Sequence, residues 1–159
     1  MAWHTLADDA DQEQIVARLE RIHPSCTRVW GTMTAHEMIC HLSDSYLLGM
    51  GEKAVSPAPR KDLPAPLPRG FIKWFALQVP MRWPRGVPTR PEVDPRRDGT
   101  RPAAFEGDLG KLLELHARFT RRPRDYSFAP HPIFGVMTEE EWMRWAYLHL
   151  DHHLRQFGL

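Results

Sequence analysis

At 159 residues and a formal net charge of +1, the chain is long enough to bury roughly two-thirds of its unfolded surface around one core, and its balance excludes the global basic excess of a dedicated nucleic-acid binder. Two cysteines, Cys26 and Cys40, with no CxxC pair exclude a disulfide framework and a thiolate zinc knuckle. The opening MAWHTLADDADQ turns acidic too soon for a signal peptide, and no apolar run reaches about 18 residues, so the expectation is a soluble, cytoplasmic protein with neither membrane nor nucleic acid as partner.

Asp8 to about Ile22 reads as a first helix. Asp8 or Asp9 can cap it, and Ile15, Leu19 and Ile22 form its inward edge, opposite Gln12, Glu13, Arg18 and Glu20. His23-Pro24 ends it, with His23 placed to meet the terminal carbonyls. A second helix opens at Thr34, where Thr34 and Glu37 form a capping box, and Met38, His41/Leu42, Ser45 and Leu48/Gly49 follow at helical spacing. His41 therefore lies on the inward face. Taken alone, such a histidine is a core residue with a satisfied hydrogen bond.

From Val55 to Pro102 the composition changes, with 11 of the 15 prolines and ten Lys or Arg against only Asp62, Glu92, Asp94 and Asp98. The segment 55–102 carries +6 and leaves the rest of the chain at −5. It reads as a long basic connection between helices, with two turns of helix over Phe71–Val79 ended by Pro80. Connections of this length are often functional. The plain reading of this one is a solvated lid that keeps an exposed loop soluble.

Phe105 to about Arg121 reads as the next long helix, striped by Phe105, Leu109, Leu112/Leu113, His116 and Phe119 and closed by Pro123. His116 on that stripe is expected to be buried and hydrogen-bonded. After the rigid Pro130-His131-Pro132 loop comes the last helix, Thr138 to Leu159, with a second capping box in Thr138 and Glu141 and a stop at Gly158. Its apolar stripe of Trp142, Trp145 and Ala146 continues into His149 and His153. Residues four apart lie about one turn apart on one face, so two imidazoles can reach one ion. Four helices, no alternating strands and one long connection between helices 2 and 3 predict an all-α four-helix bundle in a single domain, 1–159.

The HxxxH pair alone is weak, but His41 on another capped helix makes a third inward imidazole. Three imidazoles are the ligand set of an open zinc site, and they also suit nickel, iron and copper. His152 is expected beside the ligands, as a proton shuttle or catalytic base. Glu37 is a second candidate base, occupied in its capping box. Gln156 and Asp44, each three residues beyond a histidine of the trio, are placed to orient imidazoles or touch substrate, or else to be solvated. Cys40, next to His41 but turned about 100° away, reads as a small core filler rather than a nucleophile. The faces of Trp142 and Trp145 pack either within the bundle or against a second subunit, which would make a homodimer.

Trp30–Gly51, WGTMTAHEMICHLSDSYLLGMG, resembles the second-helix segment W-x-M-T-x-x-x-M-x-x-H-L of the DinB-like superfamily. HLDHHLRQFG, residues 149–158, resembles that superfamily's H-x-x-x-H-x-x-Q close, and HPIFGVMTEEEW, residues 131–142, resembles the Pro-x-apolar-Gly-x-Thr/Ser lead-in of an uncharacterised DinB-like branch. The resemblance covers both ends of the chain and not the basic segment. It implies a four-helix bundle with a largely histidine metal site, here His41, His149 and His153. The superfamily includes metal-dependent thiol S-transferases and a mycothiol-dependent maleylpyruvate isomerase. It therefore implies a low-molecular-weight thiol cofactor activated as thiolate for attack on an electrophilic small-molecule substrate, with the basic segment 55–102 facing an acidic thiol or substrate. Hydrolysis is a second chemistry for the same site. The contrasting expectation is a non-catalytic metal-binding or stress-response module with a structural or vestigial site.

Overall fold

The computed structural model describes residues 3–63 and 65–159. Among them are five α-helices and no strand: α1 (Asp9–Leu19), α2 (Ala35–Gly49), α3 (Arg69–Gln78), α4 (Phe105–Thr120) and α5 (Glu139–Gln156). Two 3-10 turns, Arg60–Asp62 and Pro91–Val93, and one isolated bridge between His131 and Gly135 complete the regular structure. The chain is all-α, and the helices lie where the apolar periodicity puts them.

Local chemistry accounts for the starts. Asp8 accepts from Asp11 N–H to cap α1. Both capping boxes form: Thr34 with Glu37 opens α2, and Thr138 with Glu141 opens α5. At the end of α1 the expectation for His23 fails. The helix stops at Leu19, and the His23 imidazole meets the Ser25 hydroxyl at 2.7 Å rather than the last-turn carbonyls. Three residues separate it from the helix end, too far for a capping contact.

α5 is the element the others are built against. α1, α2 and α3 pack on it, and α4 packs on α2. Trp142 is wholly buried, its ring stacked on Phe128 at 5.6 Å and set edge-on to Trp145 at 5.1 Å. Both indoles are thus used inside the chain, where aromatic pairs add to the area they bury. Gly49 makes this close meeting of helices feasible. A Cβ there would stand 3.0 Å from Phe119 and 3.2 Å from Trp142, tighter than side chains ordinarily pack.

The connection between α2 and α4 is structured and folds back over α2 and α5. α3 lies on α5, where Arg144 of α5 donates to the Leu77 carbonyl at 3.1 Å, and the Pro91–Val93 turn packs on α2. Its cations are partly internal. Arg96 grips both carboxylate oxygens of Glu37 at 2.7 Å, Lys73 pairs with Glu141 at 2.9 Å, and Arg90 pairs with Asp62 at 3.3 Å.

Candidate metal centre

Three histidines from two helices converge on one point. His41 sits in α2, and His149 and His153 sit one turn apart in α5. The Nε2 of His149 lies 3.2 Å from the Nε2 of His41 and 3.1 Å from that of His153. His41 and His153 are buried and His149 is partly buried. Together they form a group whose donor atoms could hold a metal ion.

The outer nitrogens fix how the inner ones are presented. His41 Nδ1–H donates to the Val93 carbonyl at 2.7 Å, and His153 Nδ1–H donates to Gln156 Oε1 at 2.7 Å. A neutral imidazole carries one N–H, so both Nε2 atoms point bare lone pairs inward. His149 Nε2 can supply at most one proton to the two. Without a cation, at least one pair of lone pairs therefore faces across about 3 Å in a low-dielectric setting. Burial pushes the pKa values of all three rings down, and their mutual proximity pushes His149 and His153 further. Neutral imidazole is the form that binds metal, and donation from Nδ1 to a carbonyl is how ligand histidines are ordinarily oriented. The residues fit a divalent transition ion.

Aromatic rings surround the trio. Trp145 stacks on His149 at 4.7 Å. Trp83, from the turn after α3, lies 6.3 Å from both His149 and His152 and is fixed by donating from Nε1 to the Ala76 carbonyl. Trp30 meets His152 edge-on at 4.7 Å. The Trp30 loop lies close to α5 at Gly31, whose φ of +85° suits glycine and where an added Cβ would stand 2.7 Å from Gln156 Nε2. His152 stands beside the trio rather than in it. Its pKa is lowered to about 4 by burial first and by the Arg155 charge next, and its Nδ1 is buried without a partner.

The other candidates sort clearly. Gln156 orients an imidazole as its spacing predicts. Asp44 does not: it accepts from Thr100 N–H and Oγ at 2.7 Å and pairs with Lys53 at 3.1 Å, tying the basic connection to α2. Val93's carbonyl takes the role that sequence reasoning offered to Asp44. A main-chain oxygen 52 residues away leaves no mark on composition or spacing. Glu37 is held in its capping box and by Arg96, whose hydrogen bonds lower its pKa to about 2, so it is a poor base. His116 is buried against the Tyr46 hydroxyl at 2.7 Å.

Cys40 is buried, and desolvation pushes its thiol up to about 12. With His36 and Asp108 it forms a second group of metal-ligand type. There, however, Asp108 Oδ2 already accepts from His36, from the Ala103 N–H and weakly from the thiol, so the cluster is satisfied by its own hydrogen bonds.

Two cavities, of about 440 Å³ and 350 Å³, open elsewhere on the surface, and neither is lined by the three histidines. The support of His41 can be tested through the turn that holds Val93. A Cβ on Gly99 would lie 2.6 Å from the Asp94 carbonyl carbon, so backbone must shift to admit it. Gly99→Ala is expected to cost about 1–3 kcal/mol and to weaken metal binding by displacing Val93, measured by urea unfolding and metal titration. Unchanged values in both would show that this turn does not position His41.

Fold and site together define a class: an all-helical protein with a buried three-imidazole group able to take a metal ion. The family described as a protein of unknown function, DUF1569, matches residues 63–158, and the chain belongs to that family. The match takes in α3, α4, α5, His149 and His153, together with most of the basic connection, while His41 lies before it. No curated protein matches the chain, nor does any solved structure.

Proposed function

We propose that this chain is a metal-binding protein of the DinB-like kind, a four-helix bundle of α1, α2, α4 and α5 with α3 in its long connection, and that it works as a metal-dependent enzyme on a small electrophilic molecule. His41, His149 and His153 would hold one divalent transition ion, with zinc favoured and nickel or iron able to replace it. The observation that carries the reading is the convergence of three Nε2 atoms, His149 at 3.2 Å from His41 and 3.1 Å from His153, the latter two with lone pairs turned inward by Val93 and Gln156. When bound, the ion supplies a Lewis acid that lowers the pKa of a low-molecular-weight thiol or of water in the open position.

The chain's own residues do the rest. Val93 and Gln156 keep the ligand rings in one tautomer. Trp83 and Trp145 pack against His149, and Trp30 packs against His152 beside the trio. His152, neutral at pH 7 and with Nδ1 unpartnered, can take a proton from a thiol or water and return it to the product.

A second reading, a structural ion in a non-catalytic module, is favoured by the burial of His41 and His153 and the packing of Trp83 and Trp145 on His149. The deciding experiment is elemental mass spectrometry of the purified, untagged protein beside a His41→Ala, His149→Ala, His153→Ala variant. About one transition-metal ion per chain, lost in the variant, is expected. Turnover of thiol with electrophile by the loaded protein, lost in His152→Ala while the ion is retained, separates the enzyme from the structural module. No metal, and none taken up on titration, overturns both.

A further inference from the structure

α3 is turned inside out. Its cations face the protein: Arg69 donates to the Pro132 and Ile133 carbonyls at 2.9 and 2.8 Å, and Lys73 pairs with Glu141. Ile72 and Leu77 are buried beside them. The aromatic side chains face outward, with Phe71 48%, Trp74 54% and Phe75 44% exposed. Leu67 one turn earlier and Met81 beyond the helix are exposed as well, at 41% and 57%. Phe71, Trp74 and Phe75 share one stripe of α3, with Leu67 just ahead of it, and the Phe71 ring lies 5.7 Å from Trp74 and 6.4 Å from Phe75. The patch is therefore continuous, and patches of this kind mark interaction sites.

Charge indicates what covers it. Residues 63–91 contain no Asp or Glu and five cations, of which Lys73 and Arg90 are paired with Glu141 and Asp62 and Arg69, Arg82 and Arg85 have no carboxylate partner among the described residues. Arg82 and Arg85, just past the helix, are exposed. A second copy docking through the same face would set one acid-free basic segment against another, and like charges oppose that pairing. An anionic surface is complementary. A ten-residue helix, about 15 Å long, cannot cross a bilayer, but an aromatic stripe flanked by arginines suits the headgroup boundary, where rings enter the acyl edge and guanidiniums meet phosphates.

We propose that α3 and its flanking turns dock this protein in the plane of an anionic lipid surface through Leu67, Phe71, Trp74, Phe75 and Met81, with Arg82 and Arg85 on the headgroups. Nothing in the sequence marks this surface, because the signal lies in which face of a short helix is left bare. The proposal stands whether or not the histidines bind metal. It also places Trp83, five residues after α3 and part of the aromatic shell around His149, next to the lipid boundary.

The test is co-sedimentation of the full chain with vesicles of phosphatidylglycerol mixed with phosphatidylcholine, and with vesicles of phosphatidylcholine alone. Binding to the anionic vesicles is expected, weakened by salt and falling about a hundredfold in a Phe71→Ser, Trp74→Ser, Phe75→Ser variant. Those side chains are exposed, so the fold should survive, with circular dichroism as the check. An Arg82→Glu, Arg85→Glu variant, which leaves the aromatic face intact, should also lose the anionic vesicles. No sedimentation with anionic vesicles, or binding indifferent to both variants, overturns the proposal. So does a dimer by light scattering that the serine variant splits while vesicles are ignored, since the occupant is then a second copy.

Discussion

His153→Ala should abolish tight metal binding, because it removes one of three converging imidazoles and leaves the Gln156 amide without its partner. Gln156→Ala, which spares the ligands and removes only the orienting bond, should weaken affinity by about 10–100-fold. The ordering of the two is the informative part, since a histidine cluster with no metal function would show neither loss. Stability carries the same signature. At an ion concentration about a thousandfold above Kd, binding adds about 4 kcal/mol to the folded state, a rise in Tm of about 10 °C for a chain of this size. His153→Ala should lose that increment while melting close to metal-free wild type, because the metal-free trio already carries an unfavourable meeting of lone pairs. Calorimetry with and without ion, on both proteins, measures it. A variant that still gains the full increment would remove His153 from the site.

A second large effect is expected in acid. Burial holds His116 at about 4 and His131 at about 3, against an ordinary value of 6.5. Their folded-state pKa values are depressed, so the folded protein binds fewer protons than the unfolded chain between these limits. Their contribution to stability is complete above about pH 6.5 and is lost as pH falls from there toward 4. Two such groups give a slope of up to about 3 kcal/mol per pH unit, and the site histidines, also pushed down by burial, act in the same direction. Urea unfolding at pH 7, 6 and 5 with a chelator present should show stability falling steeply. A flat profile would mean that these imidazoles become solvated or protonated without unfolding the core. With metal present the fall should start from a higher stability with its onset unchanged near pH 6.5, since the unfolded histidines set where it begins and protons compete with the ion only at the depressed pKa values of the folded ligands.

Both predictions depend on residues that differ in how visible they are in the chain. His149, His153 and Gln156 lie within eight residues on one helix, where a period of 3.6 fixes their relative directions. His41 could be added because its capping box and stripe set the phase of α2. His131 could not be anticipated as a buried group. It lies in a Pro-punctuated loop without periodicity, and its burial against Trp142 and Trp145 follows from how that loop returns over α5. Asp44 was drawn toward the imidazoles by spacing alone, although buried carboxylates go to the nearest donors, here Thr100 and Lys53.

By itself the sequence determined the all-helical class, the two capping boxes, the extents of the long helices to within a few residues and the three histidines that meet. These follow from local rules: apolar periodicity, cap chemistry and the rotation of side chains along one helix. Only the tertiary structure decided that Val93 fixes the tautomer of His41, that Trp30 and Trp83 enclose the site and that α3 faces outward. Each of these depends on how a proline-rich connection packs against helices far away in sequence. Its backbone carbonyls carry no residue code, and an amphipathic stripe specifies two faces without saying which one the protein will cover.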